Sequence, residues 1–361
     1  MLFIDNTIVS QILDMKTCLE ALEVGYRDLV KGDAIFRPRI DVYVPNETPD
    51  SYYKWGTMEG ACRTLGVFAI RMKSDIVSWP GNLTEEKFCV EPGTFCGLVF
   101  VFSTRNGEPL AIINDGVLQH MRVGGCAGLG AKYLAREDAS VVGMIGSGGM
   151  ARTYLVALHE VRRLERVKVY SPSKTNREAY AEEMSEKLGI PVEPRSTPSE
   201  VVRDSHIIAT CTDSLEPVVT DLTWVSKGSH LTSVRGTEWP MDVLKLADYT
   251  AKLGRNTILT MDEGMVRIAG TAAYVAGQPE ERARIPNPEV DLKKGNYDSL
   301  IDIMTGKVRG RKHRDDITYF INSGTQGLQF AAVAGRVYQL AKERCLGREL
   351  PTEWFLQDIR D

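Results

Sequence analysis

The stretch that most restricts how this chain can fold is "SVVGMIGSGGMARTYLVALHEV", Ser140 to Val161. An apolar run, a glycine-rich turn and an amphipathic helical pattern follow one another, the context in which a loop cradles a dinucleotide's pyrophosphate. Gly146 suits the tight turn, Gly148 lets backbone approach the phosphates, and Ala151 permits close packing of helix on strand, with Ser147, Gly149 and Met150 completing the loop. The helix start offers unpaired N–H groups and partial positive charge to an anion.

The rhythm after this unit extends it into a sheet. "RVKVYS", "PVEPR", "HIIATCT" and "SHLTSVR" read as strands, with "NREAYAEEMSEKLG" and "PSEVVRDS" as helices between them. Strands alternating with helices, the strands apolar throughout, imply an α/β class: a Rossmann-type doubly wound parallel sheet covered on both faces.

The texture before Ala139 differs. "MLFI" reads as a strand, Ile8 to Lys31 as a helix stopped by Gly32, and "IDVYVP", "GVFAIRMK", "CGLVFVFS" and "PLAIIND" as strands of a mixed, mostly antiparallel sheet. The tail from Ile317 reads as one long helix that returns to this region. The expected boundaries therefore fall near Arg136 and near His313, with a mixed α+β region at 1–135 and a tail at 314–361 on either side of a nucleotide-binding domain at 136–313.

Composition narrows the partners. A net charge of −4 over 361 residues leaves no basic excess for a nucleic-acid backbone. No apolar run is long enough to span a membrane, and no signal-like segment opens the chain. Seven scattered cysteines without metal-type spacing suggest reduced thiols in the cytoplasm and no metal site.

The strand "RVKVY" should end at the adenosine ribose. Ser171, Ser173, Lys174, Asn176 and Arg177 stand there without an acidic residue, so a 2′-phosphate is not repelled and NADP is favoured over NAD. A second glycine cluster, "MRVGGCAGLGAKYL", has no strand directly before it and lies in a helical pattern. Its small face suits either helix packing or the approach of cofactor and substrate beside Arg122.

With these segments in view, "DGVLQHMRVGGCAGLGAKYLAREDASVVGMIGSGGMA", "HIIATCTDSLEPVV", "KGSHLTSVRG" and "DDITYFINSG" together resemble the ornithine cyclodeaminase/mu-crystallin family. The resemblance spans nearly the whole chain. It implies that 1–135 and 314–361 form a substrate and dimerisation domain into which the NAD(P)-binding domain 136–313 is inserted, a homodimer, Arg122 and Arg39 on the substrate carboxylate, and cofactor contacts from Thr210, Cys211, Thr212, Val234, Ser323 and Gly324. It also puts Met58 and Glu59 near the substrate.

Two positions depart from the family pattern. Arg71 stands at the family lysine, with Lys73 on the same strand face as the better proton donor. Thr237 stands where cyclodeaminases carry an aspartate for the distal amine. The resemblance then implies an NAD(P)-dependent oxidoreductase reducing an α-imino acid, or an α-keto acid with an amine; a cyclodeaminase and a mu-crystallin-like NADP-binding protein are the alternatives.

Overall fold

The computed structural model describes residues 1–254, 261–287 and 295–359. Two sheets dominate it. The first has eleven strands among the described residues, its central run formed by Ile40–Pro45, Ser51–Cys62, Val67–Ser78, Cys96–Ser103 and Pro109–Asn114, each antiparallel to the next. The second has eight strands among the described residues. They are parallel throughout, and Val141–Ile145 lies between Arg166–Tyr170 and Ile207–Thr210.

Because consecutive residues of a strand face opposite sides, the first sheet has two different surfaces. Ser51–Cys62 and Val67–Ser78 alternate strictly between buried and half-buried positions over most of their length. The long helix Gln326–Glu343 and the helix Met15–Lys31 cover the buried side, where Val67, Ala69, Val99 and Val101 join Leu22, Leu328 and Val333 in one apolar core.

Several expectations meet the structure at their edges. The helical pattern from Ile8 to Lys31 is two helices, Asn6–Ile12 and Met15–Lys31, because Asp14 accepts from the Thr17 amide and caps the second. The tail from Ile317 opens with a strand, Thr318–Ile321, wedged between His230–Ser233 and Tyr249–Lys252 of the second sheet. Only after Thr325, itself in the left-handed region at φ 56°, does the helix begin. Within 136–313, the hairpin Met265–Ile268 and Thr271–Val275 joins the first sheet, pairing in parallel with Ile40–Pro45. The sheets thus exchange strands across the expected boundary at 313/314.

The small-residue helix is Asp115–Leu134. A Cβ on Gly124 would stand 2.6 Å from the Thr153 carbonyl, one on Gly128 3.0 Å from the Ala157 Cβ, and one on Gly125 2.8 Å from Leu22. Protein fills these faces. The bare surface lets helices pack, and the expectation that cofactor or substrate lies against it is corrected.

Candidate functional site

The turn after Val141–Ile145 has the shape a phosphate needs. Gly146 takes φ 114°, and a Cβ there would overlap the Cys211 carbonyl, so only glycine closes the turn. Gly148 precedes the helix Gly149–Val161 without a side-chain cap, and a Cβ on it would meet nothing within 4 Å. The first amides of that helix therefore face open space. Gly149 sits against His120, Met150 is half-buried, and Ala151 is fully buried, as close helix-on-strand packing demands. These residues fit a dinucleotide's pyrophosphate.

The end of the next strand adds a polar edge. Ser171 accepts a hydrogen bond from Ser147 at 3.0 Å and donates to the Ser173 carbonyl. Ser173 caps the helix Lys174–Leu188 through the Asn176 amide, leaving the Lys174 and Asn176 side chains exposed. Arg177 reaches back to the Ser171 carbonyl at 3.0 Å.

Thr210, Cys211 and Thr212 follow the strand Ile207–Thr210 at the switch of strand order. Glu238, fully buried, accepts from the Thr212 amide and hydroxyl at 2.6 and 2.8 Å and from the Arg235 amide at 2.8 Å. Burial pushes its carboxyl up. The side chain of Thr212 is thereby committed to the fold, and Cys211 presents its carbonyl to Gly146.

A cavity of about 340 Å³ opens between the ends of the second sheet's strands and the first sheet. From the second sheet come Ser233, Val234, Arg235, Gly236, Thr237, Ile321, Asn322 and Ser323; from the first come Arg39, Asp41, Tyr43, Lys54 and Lys73, with Glu85 and Lys87 beside them. Residues 83–85 tie the two sides together, since the Leu215 amide donates to the Leu83 carbonyl and Arg235 pairs with Glu85 at 3.3 Å.

The charged floor follows from strand register. Asp41, Gly56 and Lys73 lie in one cross-strand row, and Tyr43, Lys54 and Asp75 in the next. A Cβ on Gly56 would overlap the Asp41 carboxylate, so the glycine leaves the room in which these charges lie across the sheet. Arg39 pairs with Asp41 at 2.7 Å, Lys73 with Asp75 at 2.9 Å, and Lys54 with Glu85 at 3.6 Å.

Electrostatics set the protonation of the row. Burial, with Arg39 and Lys54 nearby, brings the Lys73 ammonium well below its ordinary range, against the opposing pull of Asp75. Burial pushes the Asp41 carboxyl up, but Arg39 and Lys54 outweigh it and hold the group low.

Other expected site residues lie outside the cavity lining. Arg71 is turned away from it into a buried pair with Asp115 at 2.6 Å, so of the two strand cations it is Lys73 that lines the space. Arg122 is buried, donating to Gln119 at 2.7 Å and Gln329 at 2.8 Å, with its guanidinium 4.6 Å from the Phe330 ring. Met58 belongs to the apolar core, and Glu59 is engaged by Arg37 at 2.6 Å. Thr237 lines the cavity, its hydroxyl donating to the Ser214 carbonyl. Ser323 lines it too, and Gly324 beyond takes φ 109° and accepts from Gln329.

Sequence reasoning missed Asp41, Lys54, Glu85, Lys87 and Arg235. A signal was present in R-x-D at 39–41 and R-x-K-x-D at 71–75: charges at period two inside strands whose other face is apolar.

Fold and site together define an α/β protein with a dinucleotide cradle facing a charged small-molecule cavity. The chain belongs to the ornithine cyclodeaminase/mu-crystallin family, whose model matches residues 82–344. A Delta(1)-pyrroline-2-carboxylate reductase of Bacillus cereus is 28% identical over 259 residues, 71% of this chain and 74% of that protein. Among solved structures, the Thermococcus litoralis Delta(1)-pyrroline-2-carboxylate reductase in complex with NADH and L-proline is similar with a TM-score of 0.76 at 24% identity, over 97% of this chain and 100% of the other. An archaeal alanine dehydrogenase dimer with bound NAD is similar with a TM-score of 0.74 at 23% identity, over 97% and 98%.

Proposed function

We propose that the chain is an NAD(P)-dependent oxidoreductase that reduces an α-imino acid to an amino acid. The observation carrying this reading is the single cavity in which Lys73 and Arg39 face the strand ends that follow from the phosphate cradle. When bound, the cofactor supplies the hydride. The chain's own residues then have three tasks.

The first is to hold the carboxylate. Arg39 spends its Nε on Asp41, leaving both terminal nitrogens for a two-pronged grip. Arg122 remains a second participant: it is a buried cation with no carboxylate within 4 Å among the described residues, held only by neutral glutamines. A substrate carboxylate would provide the missing counter-charge, which burial makes valuable.

The second task is proton transfer. An ammonium held well below its ordinary range by burial gives up its proton more readily, and Lys73 can hand its proton to the imine nitrogen. The third is exclusion of water and alignment, served by the loop Asn322–Thr325, whose Asn322 amide donates to the Val123 carbonyl and to the Tyr154 hydroxyl.

The finer assignments are part of the same proposal. NADP is preferred because Ser171, Lys174 and Arg177 surround the ribose position without a carboxylate at residue 171. The cofactor-binding unit comprises the second sheet and its helices, and the rest of the chain forms the substrate and dimerisation unit. A homodimer is supported by the half-buried apolar face of the first sheet, where Trp55, Ile70, Met72, Leu98 and Phe100 stand side by side with no covering element among the described residues. Seven free thiols fit a reducing, cytoplasmic setting.

The test follows absorbance at 340 nm with NADPH or NADH while cyclic imines, 2-oxo acids with amines, and ornithine are offered in turn. Net cofactor oxidation with an imine is expected. Ammonia release from ornithine without net cofactor change would replace the reductase by a cyclodeaminase.

A further inference from the structure

The proposed reaction needs one carboxylate, one nitrogen and one carbon of its substrate, and the cavity holds more positive charge than these require. Arg39, Lys54, Lys73, Lys87 and Arg235 line it. Only Asp41, Asp75 and Glu85 answer them, so two positive charges are left over.

The excess is local. Arg39 and Lys73 each have a carboxylate within 3 Å, Asp41 at 2.7 Å and Asp75 at 2.9 Å. Beside them Glu85 is shared between Lys54 at 3.6 Å and Arg235 at 3.3 Å, and Lys54 has only the already paired Asp41, at 3.9 Å, as a second carboxylate. Lys87, two residues along and on the same face of the strand, has neither a hydrogen bond nor a carboxylate within 4 Å among the described residues. Its side chain offers its surface to the cavity, while the surrounding walls depress the ammonium, opposed by Glu85 and Asp75.

A wall built this way is short of negative charge. Partly desolvated cations that share one carboxylate gain when a ligand brings another. The same wall is wrong for a distal ammonium. At residue 237 the cavity meets a threonine hydroxyl already donating to Ser214, and both lining carboxylates, Asp41 and Glu85, are occupied by cations. Attraction for one ligand and repulsion of the other act in the same direction.

We propose that the substrate carries a second anionic group, the side-chain carboxylate of a small dicarboxylic α-imino acid. Lys87 and Arg235 receive it, with Lys54 behind them, while Arg39 attends the α-carboxylate and Lys73 the imine nitrogen. Arg235 is prepared for this role by its backbone, which Glu238 anchors at 2.8 Å. The proposal rests on the reductase reading for the imine but not for the second carboxylate, which can be measured without turnover.

The experiment is calorimetric titration of the cofactor-loaded protein with 2-oxoglutarate and with 2-oxopentanoate, equal in chain length and differing in the distal carboxylate. Wild type should bind 2-oxoglutarate at least tenfold more tightly. Lys87→Gln and Arg235→Gln should each remove about tenfold of that affinity and leave 2-oxopentanoate within twofold, which also certifies their folding. Equal affinity for the two acids in wild type, or equal weakening of both in the variants, would overturn the proposal. Absence of turnover with every imine would sink the reductase reading, and the ratio of affinities would still decide this one.

Discussion

Along the inner face of the first sheet, the strand Val67–Ser78 reads Val67, Ala69, Arg71, Lys73, Asp75, Val77: apolar under the long C-terminal helix, charged under the cavity, apolar again. The second sheet never changes in this way. Its strand Val141–Ile145 is buried at every position, and among the buried polar groups of its other strands His230 bonds to Thr318. One face of one sheet is thus specialised along its length. The other sheet is a uniform support whose chemistry is confined to the loops at its strand ends. Under the proposed function, substrate charge is read by side chains on rigid strands, while cofactor is held by backbone in turns.

That contrast breaks most visibly at Lys73. Lys73→Met should lower turnover at least a thousandfold while cofactor affinity stays within twofold, because the side chain lies on the first sheet only. Wild-type reduction should also lose rate as pH rises through a point well below the ordinary lysine value, since the lowered ammonium must be protonated to act. Steady-state kinetics across pH and fluorescence titration of NADPH measure both. A variant that lost cofactor and turnover together would erase the division of labour.

The same contrast explains what was legible in the sequence. The strand, turn and helix around Gly146–Ala151 could be read because they are contiguous in the chain, even though Gly146 packs against Cys211 and Ser147 bonds to Ser171. The parallel sheet followed from strand and helix alternation for the same reason. The charged floor is assembled from Arg39, Asp41, Lys54, Lys73 and Glu85 on separate segments, and only register brings Asp41 opposite Gly56 and Lys73. Nothing local announces that pairing. Arg122 was legible only by type: an arginine suits a carboxylate, but nothing local announced that Gln119 and Gln329 would take its donors and hold it outside the cavity lining. The strand Thr318–Ile321 was absorbed into a helix because its apolar residues continue into those of the helix, and the break lies in the backbone at Gly324 and Thr325.

The two glycine clusters sharpen the comparison at a smaller scale. Gly148→Ala adds a methyl where nothing lies within 4 Å, so stability should stay within about 0.5 kcal/mol, while NADPH affinity falls on the order of tenfold as the methyl enters the phosphate space. Gly124→Ala drives a methyl toward the Thr153 carbonyl and should cost about 1–3 kcal/mol of stability, with NADPH affinity little changed. Thermal melts and cofactor titrations of both variants provide the cross-check. A loss of cofactor binding in Gly124→Ala at temperatures where it is folded would return the first cluster to the active site.

The smallest effect separates the two sheets along the pH axis. Burial, with Arg311 and Arg162 adding to it, lowers the pKa of His230 to about 3 from an ordinary 6.5, so the folded imidazole stays neutral while the unfolded one takes up a proton. The unfolded state then binds more protons between these values, and stability must fall as pH drops below 6.5. At pH 5.5 the His230 contribution is about 1.4 kcal/mol, one unit at the linkage slope. The carboxylates of the first sheet have the same sign but a lower window. Asp41 and Glu85 are held below their ordinary range, so they stabilise the fold above about pH 4.5 and lose that contribution only on further acidification. Denaturant unfolding at closely spaced pH values should therefore show a first loss between pH 6.5 and 5 that His230→Phe removes, and a second loss below pH 4.5 that this substitution leaves in place. If His230→Phe left the upper slope intact, the second sheet's polar contacts would not govern acid stability in that window, and the two sheets would no longer be distinguishable by titration.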